Sequence, residues 1–415
     1  MRKKNNKKIL VITHQLSRTG APIVLLEVIQ LCKRQGYEID VITMLDGELR
    51  KNLEEMNIKV QVQEQFLEQA DAFYRYAGKY DMVIANTLIT YEVIHILNHS
   101  QIPVLWWLHE GKQYFEYFAK VLPDFNKLSP NIHVFSVGHY VQKVIEDLYG
   151  YTTEILHFGV EDVPRAKTVS DNVKVQFLTA GTYSKVKAQD VLVEAIRMLP
   201  EEYLERAEFY FCGNQDQYDE TVYIPVKQLA EEYGNVTMLP LLSHQETLER
   251  MEACDCLIVP SRIDPIPTVA VEIMMKKNIC LCTDVCGVAH YIVDGVNGFT
   301  VSPEDAKALA EKIKFIVDNR KHMDSLKAEG RKVYEKYFSR EVFEPYVLNL
   351  VDEYTHPKEK EMLELSKYVL EIRRRIDEGL QLTEEQQKEL ENAASIVQEY
   401  MKENYEIEEA EETEI

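Results

Sequence analysis

No stretch of this 415-residue chain approaches the run of about 18 uncharged apolar residues that a membrane-spanning helix requires. Nor does the start read as a secretory leader: Met1-Arg2-Lys3-Lys4 leads into polar residues and then directly into a strand-like run. Positive charge is in short supply. Lys and Arg number 47 against 69 Asp and Glu, a formal net charge of −22, so nucleic acid is excluded as the main partner while small anions can still bind locally. Cysteine is sparse and odd in number, at seven. Four of the seven form the C-x-C pairs Cys254/Cys256 and Cys280/Cys282 inside apolar, strand-like runs, which read as buried reduced thiols in preference to a metal site. The expectation is a cytoplasmic protein, soluble or peripheral on the inner face of the membrane. The basic segment Arg2 to Lys8 reads as a solvated tail, with contact to anionic lipid as the alternative.

What is present is length, apolar content and a repeating order. Apolar residues make up 46%, enough for two or three cores. From Lys8 buried strand-like runs alternate with amphipathic segments: Ile9–Ile12, Ile39–Ile42, Met82–Ala85, Val104–Trp107, His133–Ser136 and Glu154–Leu156. Such alternation predicts a parallel sheet covered by helices. After a polar stretch containing Pro164 the alternation restarts at Val175–Ala180 and continues through Phe209–Cys212, Val236–Leu239, Cys256–Val259 and Ile279–Cys282. The fold class is α/β. Two Rossmann-like doubly wound domains, 1–165 and 172–335, are expected to face a cleft, with a returning helix over 336–356. Beyond His356-Pro357 a C-terminal helical extension is expected over 358–405, as a hairpin whose second helix opens on the capping-box signature Thr383-x-x-Gln386. Its apolar positions Leu363, Tyr368, Ile372, Leu390, Ile396 and Tyr400 need a surface to pack on, either the same chain or another subunit. The acidic residues 406–415 read as a tail.

Four strand-end loops carry candidate chemistry. The segment from Pro260 to Glu272 holds Asp264 and Glu272 eight positions apart across a turn shaped by Pro265 and Pro267. It follows a buried strand and opens a helix, whose unpaired N–H groups and positive dipole end suit a diphosphate. A sugar-nucleotide site is the functional reading, and an ordinary βα turn with two solvated carboxylates is the bland one. The first strand's loop ends in Gly20-Ala21-Pro22, where amides can approach phosphate. The loop from Gly181 to Asp190 carries Lys185 and Lys187 where a leaving diphosphate needs positive charge. The run Trp106 to Gly111 puts His109 and Glu110 at a strand end.

In this order, Gly20-Ala21, His109-Glu110, Lys187-Ala188-Gln189-Asp190 and Pro260 to Glu272 resemble a retaining glycosyltransferase of family 4 with the GT-B fold, over about residues 8 to 355. The resemblance implies a role for each position. Glu272 matches the residue that holds the nucleotide ribose, and Asp264 stands where most members have a glutamate that contacts donor-sugar hydroxyls. Lys187 matches the lysine that neutralises the diphosphate, with help from amides at Gly20, Ala21, Thr268 and Val269. His109 matches the histidine beside the donor sugar. The sequence departs from the family at Thr182, where an arginine is usual, with Arg262 or Lys185 as candidate replacements. It departs again at Cys286-Gly287-Val288-Ala289-His290, where the family has Gly-Gly-x-x-Glu.

The implied activity is transfer of a sugar from a nucleotide-diphosphate donor, a uridine type by expectation, to a hydroxyl of a glycan, cell-surface polymer or lipid-linked acceptor. No cofactor and no metal are expected, and there is no Asp-x-Asp motif of the metal-dependent type. A GT-B-fold sugar-nucleotide epimerase and a non-catalytic GT-B partner of another transferase are the alternatives. Further partners left open are a peripheral membrane contact, a second copy of the chain, or another protein docked on the C-terminal helices.

Overall fold

The computed structural model describes residues 7–163, 173–215, 220–377 and 380–404. Two parallel sheets organise the chain. The first contains β1 (Lys8–Gln15), β2 (Glu38–Leu45), β3 (Lys59–Val62), β4 (Met82–Asn86), β5 (Val104–Leu108), β6 (Ile132–Ser136) and β7 (Glu154–Ile155). Its order is β3-β2-β1-β4-β5-β6-β7. The second contains β8 (Val175–Ala180), β9 (Ala207–Cys212), β10 (Val236–Met238), β11 (Cys256–Val259), β12 (Ile279–Thr283) and β13 (Phe299–Val301), in the order β10-β9-β8-β11-β12-β13. Every residue of β4, β5, β11 and β12 is buried, as a parallel sheet covered on both faces requires. This is why these strands read as unbroken apolar runs. The edge strands β3 and β13 have no such run and were not expected from the sequence.

Each sheet reverses direction of winding once, between β1 and β4 in the first and between β8 and β11 in the second. Loops that leave neighbouring strands at such a point diverge to opposite faces and open a crevice. Of the loops singled out from sequence, those after β8 and β11 flank the second sheet's switch point; on the first sheet the loop after β1 flanks it, and the loop after β5 leaves the strand beyond β4.

Both sheets lie in one compact unit, Met1–Leu348. The second sheet is followed by helices Ala306–Asn319 and Asp324–Tyr337, and the returning helix expected over 336–356 is Arg340–Thr355. The last of these returns to the first sheet's side, where Arg34 reaches Glu344 at 2.8 Å and Tyr346 donates to the carbonyl of Ile155. All seven cysteines are buried, and none forms a disulfide. Among the described residues no helix is long and apolar enough to cross a membrane, and no three His, Cys, Asp or Glu side chains are grouped to hold a metal ion.

The second unit begins at Asn349. Its helices Pro357–Asp377 and Glu384–Asn404 form the expected hairpin. The capping box is present in full: Gln386 N donates to Thr383 Oγ1 at 3.3 Å and Thr383 N to Gln386 Oε1 at 3.0 Å. The hairpin core is small, Val369, Leu390 and Ala393, flanked by Leu365, Ile372, Leu382 and Ala394. Tyr368 and Ile396, expected to be packed, are exposed. The side chain of Leu363, the basic start at Met1-Arg2-Lys3-Lys4, Pro164 and the acidic tail lie outside the described residues.

Candidate functional site

The two helices aimed at the crevice share a local feature. The helix Gly20–Arg34 follows Thr19 and the helix Thr268–Met275 follows Pro267, and neither has a side-chain cap. By contrast the helix His244–Ala253 carries a complete box from Ser243 and Glu246. Uncapped first turns leave N–H groups unpaired, here at Gly20 and Ala21 and at Thr268 and Val269. Glu272 lies one turn further into its helix, buried, and accepts from His244 Nε2 at 2.6 Å. That bond raises the His244 pKa above its ordinary value.

On the second sheet the sequence candidates Lys187 and Asp264 meet. Lys187 Nζ stands 2.5 Å from Asp264 Oδ2, and the carboxylate is 7% exposed as a residue. Burial works against the ammonium charge, but Asp264 overcomes it, and Lys187 titrates above an ordinary lysine. The loop that carries Asp264 is pinned by Gly287, whose N–H donates to the Asp264 carbonyl at 2.8 Å. A Cβ at Gly287 would fall 1.5 Å from the carbonyl oxygen of Pro265, so only glycine fits. One glycine of the family's pair is thus retained for a steric reason. His290, in place of the family's glutamate, packs at a tilt against His139 of the first sheet's side, with ring centroids 3.8 Å apart.

Two further candidates are engaged within the protein. Arg262, a candidate replacement for the missing loop cation, is held by carboxylates. Its guanidinium donates to Asp190 at 3.0 and 2.7 Å, to the carbonyl of Lys185 at 2.8 Å, and to both carboxylate oxygens of Glu304. With its donors spent on these neighbours, it ties the Lys187 loop to the strand end after β11. Thr182 is exposed, and its carbonyl, with that of Gly181, accepts from Gln189 Nε2 at 3.1 and 3.3 Å.

On the first sheet His109 Nε2 lies 3.0 Å from Asn86 Oδ1, and Asn86 Nδ2 donates to the carbonyl of Ala21 at 3.4 Å. One asparagine thereby joins two candidate loops. Glu110, buried, accepts from the amides of Leu88 and His109 at 2.9 Å each. Burial nevertheless raises its carboxyl to about 7. His109 is lowered to about 3 and His14 to about 4, in both cases chiefly by burial, so both rings are neutral at physiological pH.

Sequence reasoning missed Asn86, Thr87, His14 and His244. The first two had a signal: a polar pair closing an otherwise apolar buried strand. Thr87 adopts φ 81°, a conformation that costs a β-branched residue about 1–3 kcal/mol and gathers at functional sites.

The two clusters adjoin. A Cβ at Gly111 would lie 3.0 Å from Ile263 Cγ2, and one at Gly138 would lie 2.4 Å from Ile266 Cδ1. The His109-Glu110-Gly111 loop therefore touches the loop that bears Asp264. His157 and Tyr291 add a hydrogen bond across the same seam.

Two doubly wound sheets whose carboxyl-end loops meet over a lysine, a carboxylate pair and uncapped helix ends define a GT-B glycosyltransferase. The family model for glycosyl transferases group 1 matches residues 161–333, and that for glycosyl-transferase family 4 matches residues 5–147. The chain belongs to this family of transferases. It is 26% identical over 160 residues to an uncharacterized glycosyltransferase of Methanocaldococcus jannaschii, covering 39% of this chain and 43% of that one. It is 25% identical over 185 residues to D-inositol 3-phosphate glycosyltransferase 1 of Catenulispora acidiphila, covering 43% and 44%. The chain thus spans less than half the length of these curated relatives. In fold it resembles Anabaena HepE, solved in complex with UDP, at a TM-score of 0.70 and 17% identity, over 83% of this chain and 100% of that one. HepE has also been solved in complex with UDP-glucose.

Proposed function

We propose that the protein transfers a sugar from a UDP-sugar to a hydroxyl of a glycan, cell-surface polymer or lipid-linked acceptor, with retention at the anomeric carbon and without a metal. It would act in the cytoplasm or at the inner face of the membrane. The observation that carries this reading is Lys187, held on buried Asp264 beside the uncapped helix that contains Glu272. On this reading Glu272 exchanges His244 for the ribose hydroxyls and accepts from them. The Thr268 and Val269 amides on one side, and those of Gly20 and Ala21 on the other, suit the diphosphate. As the glycosidic bond breaks, charge grows on the diphosphate, where Lys187 and the helix end stabilise it without reorganising.

The carboxylates at the site support retention without a protein nucleophile. Asp264 is ion-paired, Glu272 is bonded to His244, and Glu110 is buried on two backbone amides. Among the described site residues none stands free as the attacking group of a two-carboxylate mechanism. The leaving diphosphate would take the acceptor's proton, and contact between the two loop clusters would exclude water.

Calorimetry with UDP tests the reading. Glu272→Ala is expected to weaken binding by about 1.5–3 kcal/mol for each charge-assisted hydrogen bond lost, that is, tenfold or more. Unchanged affinity in a folded variant would sink the assignment. Incubation with the donor alone separates transfer from epimerisation, since an epimerase converts its donor without an acceptor.

A further inference from the structure

The strand end after β4 is built more tightly than a connecting loop requires. Thr87 N donates to the carbonyl of Trp107 at 2.8 Å, and the Thr87 carbonyl accepts from Trp106 Nε1 at 3.0 Å and from Thr90 Oγ1 at 2.8 Å. The Thr87 hydroxyl lies 3.1 Å from His14 Nδ1. These bonds hold the positive-φ bend, and the bend places fully buried Asn86 between Ala21 and His109.

The amide orientation then follows from donor and acceptor matching. The Ala21 carbonyl can only accept, so the amide nitrogen of Asn86 faces it and Oδ1 faces His109. Oδ1 can only accept, so the proton of the neutral imidazole sits on Nε2. Nδ1 is left as a bare acceptor, with no hydrogen bond among the described residues. The ring is held in place by Trp107, whose centroid lies 4.6 Å away. The titratable neighbours are His14, neutral through burial, and Glu110, whose carboxyl is occupied by backbone amides. Neither supplies a second proton to the ring. A histidine arranged in this way is a poor acid and a weak base, but a well-oriented acceptor.

We propose that Asn86 is a positioning residue that fixes the Nε2–H tautomer of His109, so that Nδ1 accepts a hydrogen bond from a hydroxyl of the bound donor sugar. The hydroxyl partner rests on the sugar-nucleotide reading above; the tautomer does not.

Nitrogen NMR on the full chain with labelled histidine tests both parts, with His109→Gln used to assign the ring. The wild type is expected to show an unprotonated Nδ1 and a protonated Nε2 with no titration between about pH 5.5 and 8. Asn86→Ala is expected to populate both tautomers. Asn86→Asp, which sets a carboxylate opposite Nε2–H, is expected to raise the ring's pKa by one unit or more. In the wild type, UDP-glucose or UDP-galactose is expected to shift the Nδ1 resonance where UDP alone does not. A protonated Nδ1 in the wild type, or the wild-type tautomer persisting in Asn86→Ala, overturns the positioning role. Equal Nδ1 positions with UDP and with both nucleotide sugars overturn the hydroxyl contact. Failure of the wild type to bind UDP at all overturns the sugar-nucleotide reading and leaves the tautomer assignment standing.

Discussion

Two residues show how environment, more than identity, sets chemistry at this site. Lys187 keeps its charge against burial because Asp264 is 2.5 Å away. Removing it strands a buried carboxylate, so Lys187→Ala is expected to lose about 1–3 kcal/mol of stability in urea unfolding. That is below the range for fully buried pairs, because a third of the lysine side chain is open to solvent. Turnover should fall further than UDP affinity, by about a hundredfold, since the charge Lys187 offsets is largest in the transition state. Near-normal turnover in a folded variant would remove Lys187 from the leaving-group role. Glu110 is the opposite case, a carboxyl raised from 4.5 to about 7 by burial. A raised carboxyl stabilises the fold fully below its unfolded value and loses that contribution as pH climbs through the folded one. The wild type should therefore lose about 3 kcal/mol of unfolding free energy from this group between about pH 4.5 and 7.5. Glu110→Gln should flatten that slope, and parallel profiles for the two proteins would count against the raised carboxyl.

At the scale of elements, the site depends on which helix ends are capped and which turns are crowded. The helix His244–Ala253 is closed off by its own side chains, whereas the helices at Gly20 and Thr268 have no side-chain cap. The turn beyond β12 approaches the Asp264 loop so closely that a methyl group has no room at Gly287. Gly287→Ala is expected to cost about 1–3 kcal/mol by forcing the two loops apart. It should also weaken UDP binding, because the Gly287 amide holds the Asp264 carbonyl and so sets where that residue stands. Denaturation and UDP titration on the same preparation check both. A variant as stable as the wild type would mean that the loops separate freely.

At the scale of the molecule, the hairpin from Pro357 onward poses a question of surface. Among the described residues its core holds Val369, Leu390 and Ala393, while Tyr368, Leu370, Ile376 and Ile396 are exposed. Helix pairs of this size are marginal without further burial. Truncation after Pro357 is expected to retain donor hydrolysis and to yield a smaller assembly by light scattering, beyond the mass removed. An unchanged monomer would dismiss the exposed face as a subunit contact. An insoluble product would point to packing within the chain.

What the sequence determined by itself is the part of the protein that local patterns encode. Runs such as Cys256–Val259 and Val104–Leu108 are apolar throughout because both faces are covered, so buried parallel strands announce themselves. The cap at Thr383 is a four-residue pattern and forms as read. The resemblance at Lys187, Asp264 and Glu272 could be matched because each stands at a characteristic distance from a strand end. Tertiary structure decided how side chains are shared. Arg262 could face a ligand or a carboxylate; only the fold brings Asp190 and Glu304 to it from 72 and 42 residues away. Asn86 directly follows a strand-like run in the sequence, and its contacts with Ala21 and His109 exist only because β4 lies between β1 and β5. The edge strands β3 and β13, the strained Thr87 and the seam between His139 and His290 escaped for the same physical reason. Their energies come from neighbours distant along the chain, and a linear pattern carries no record of those.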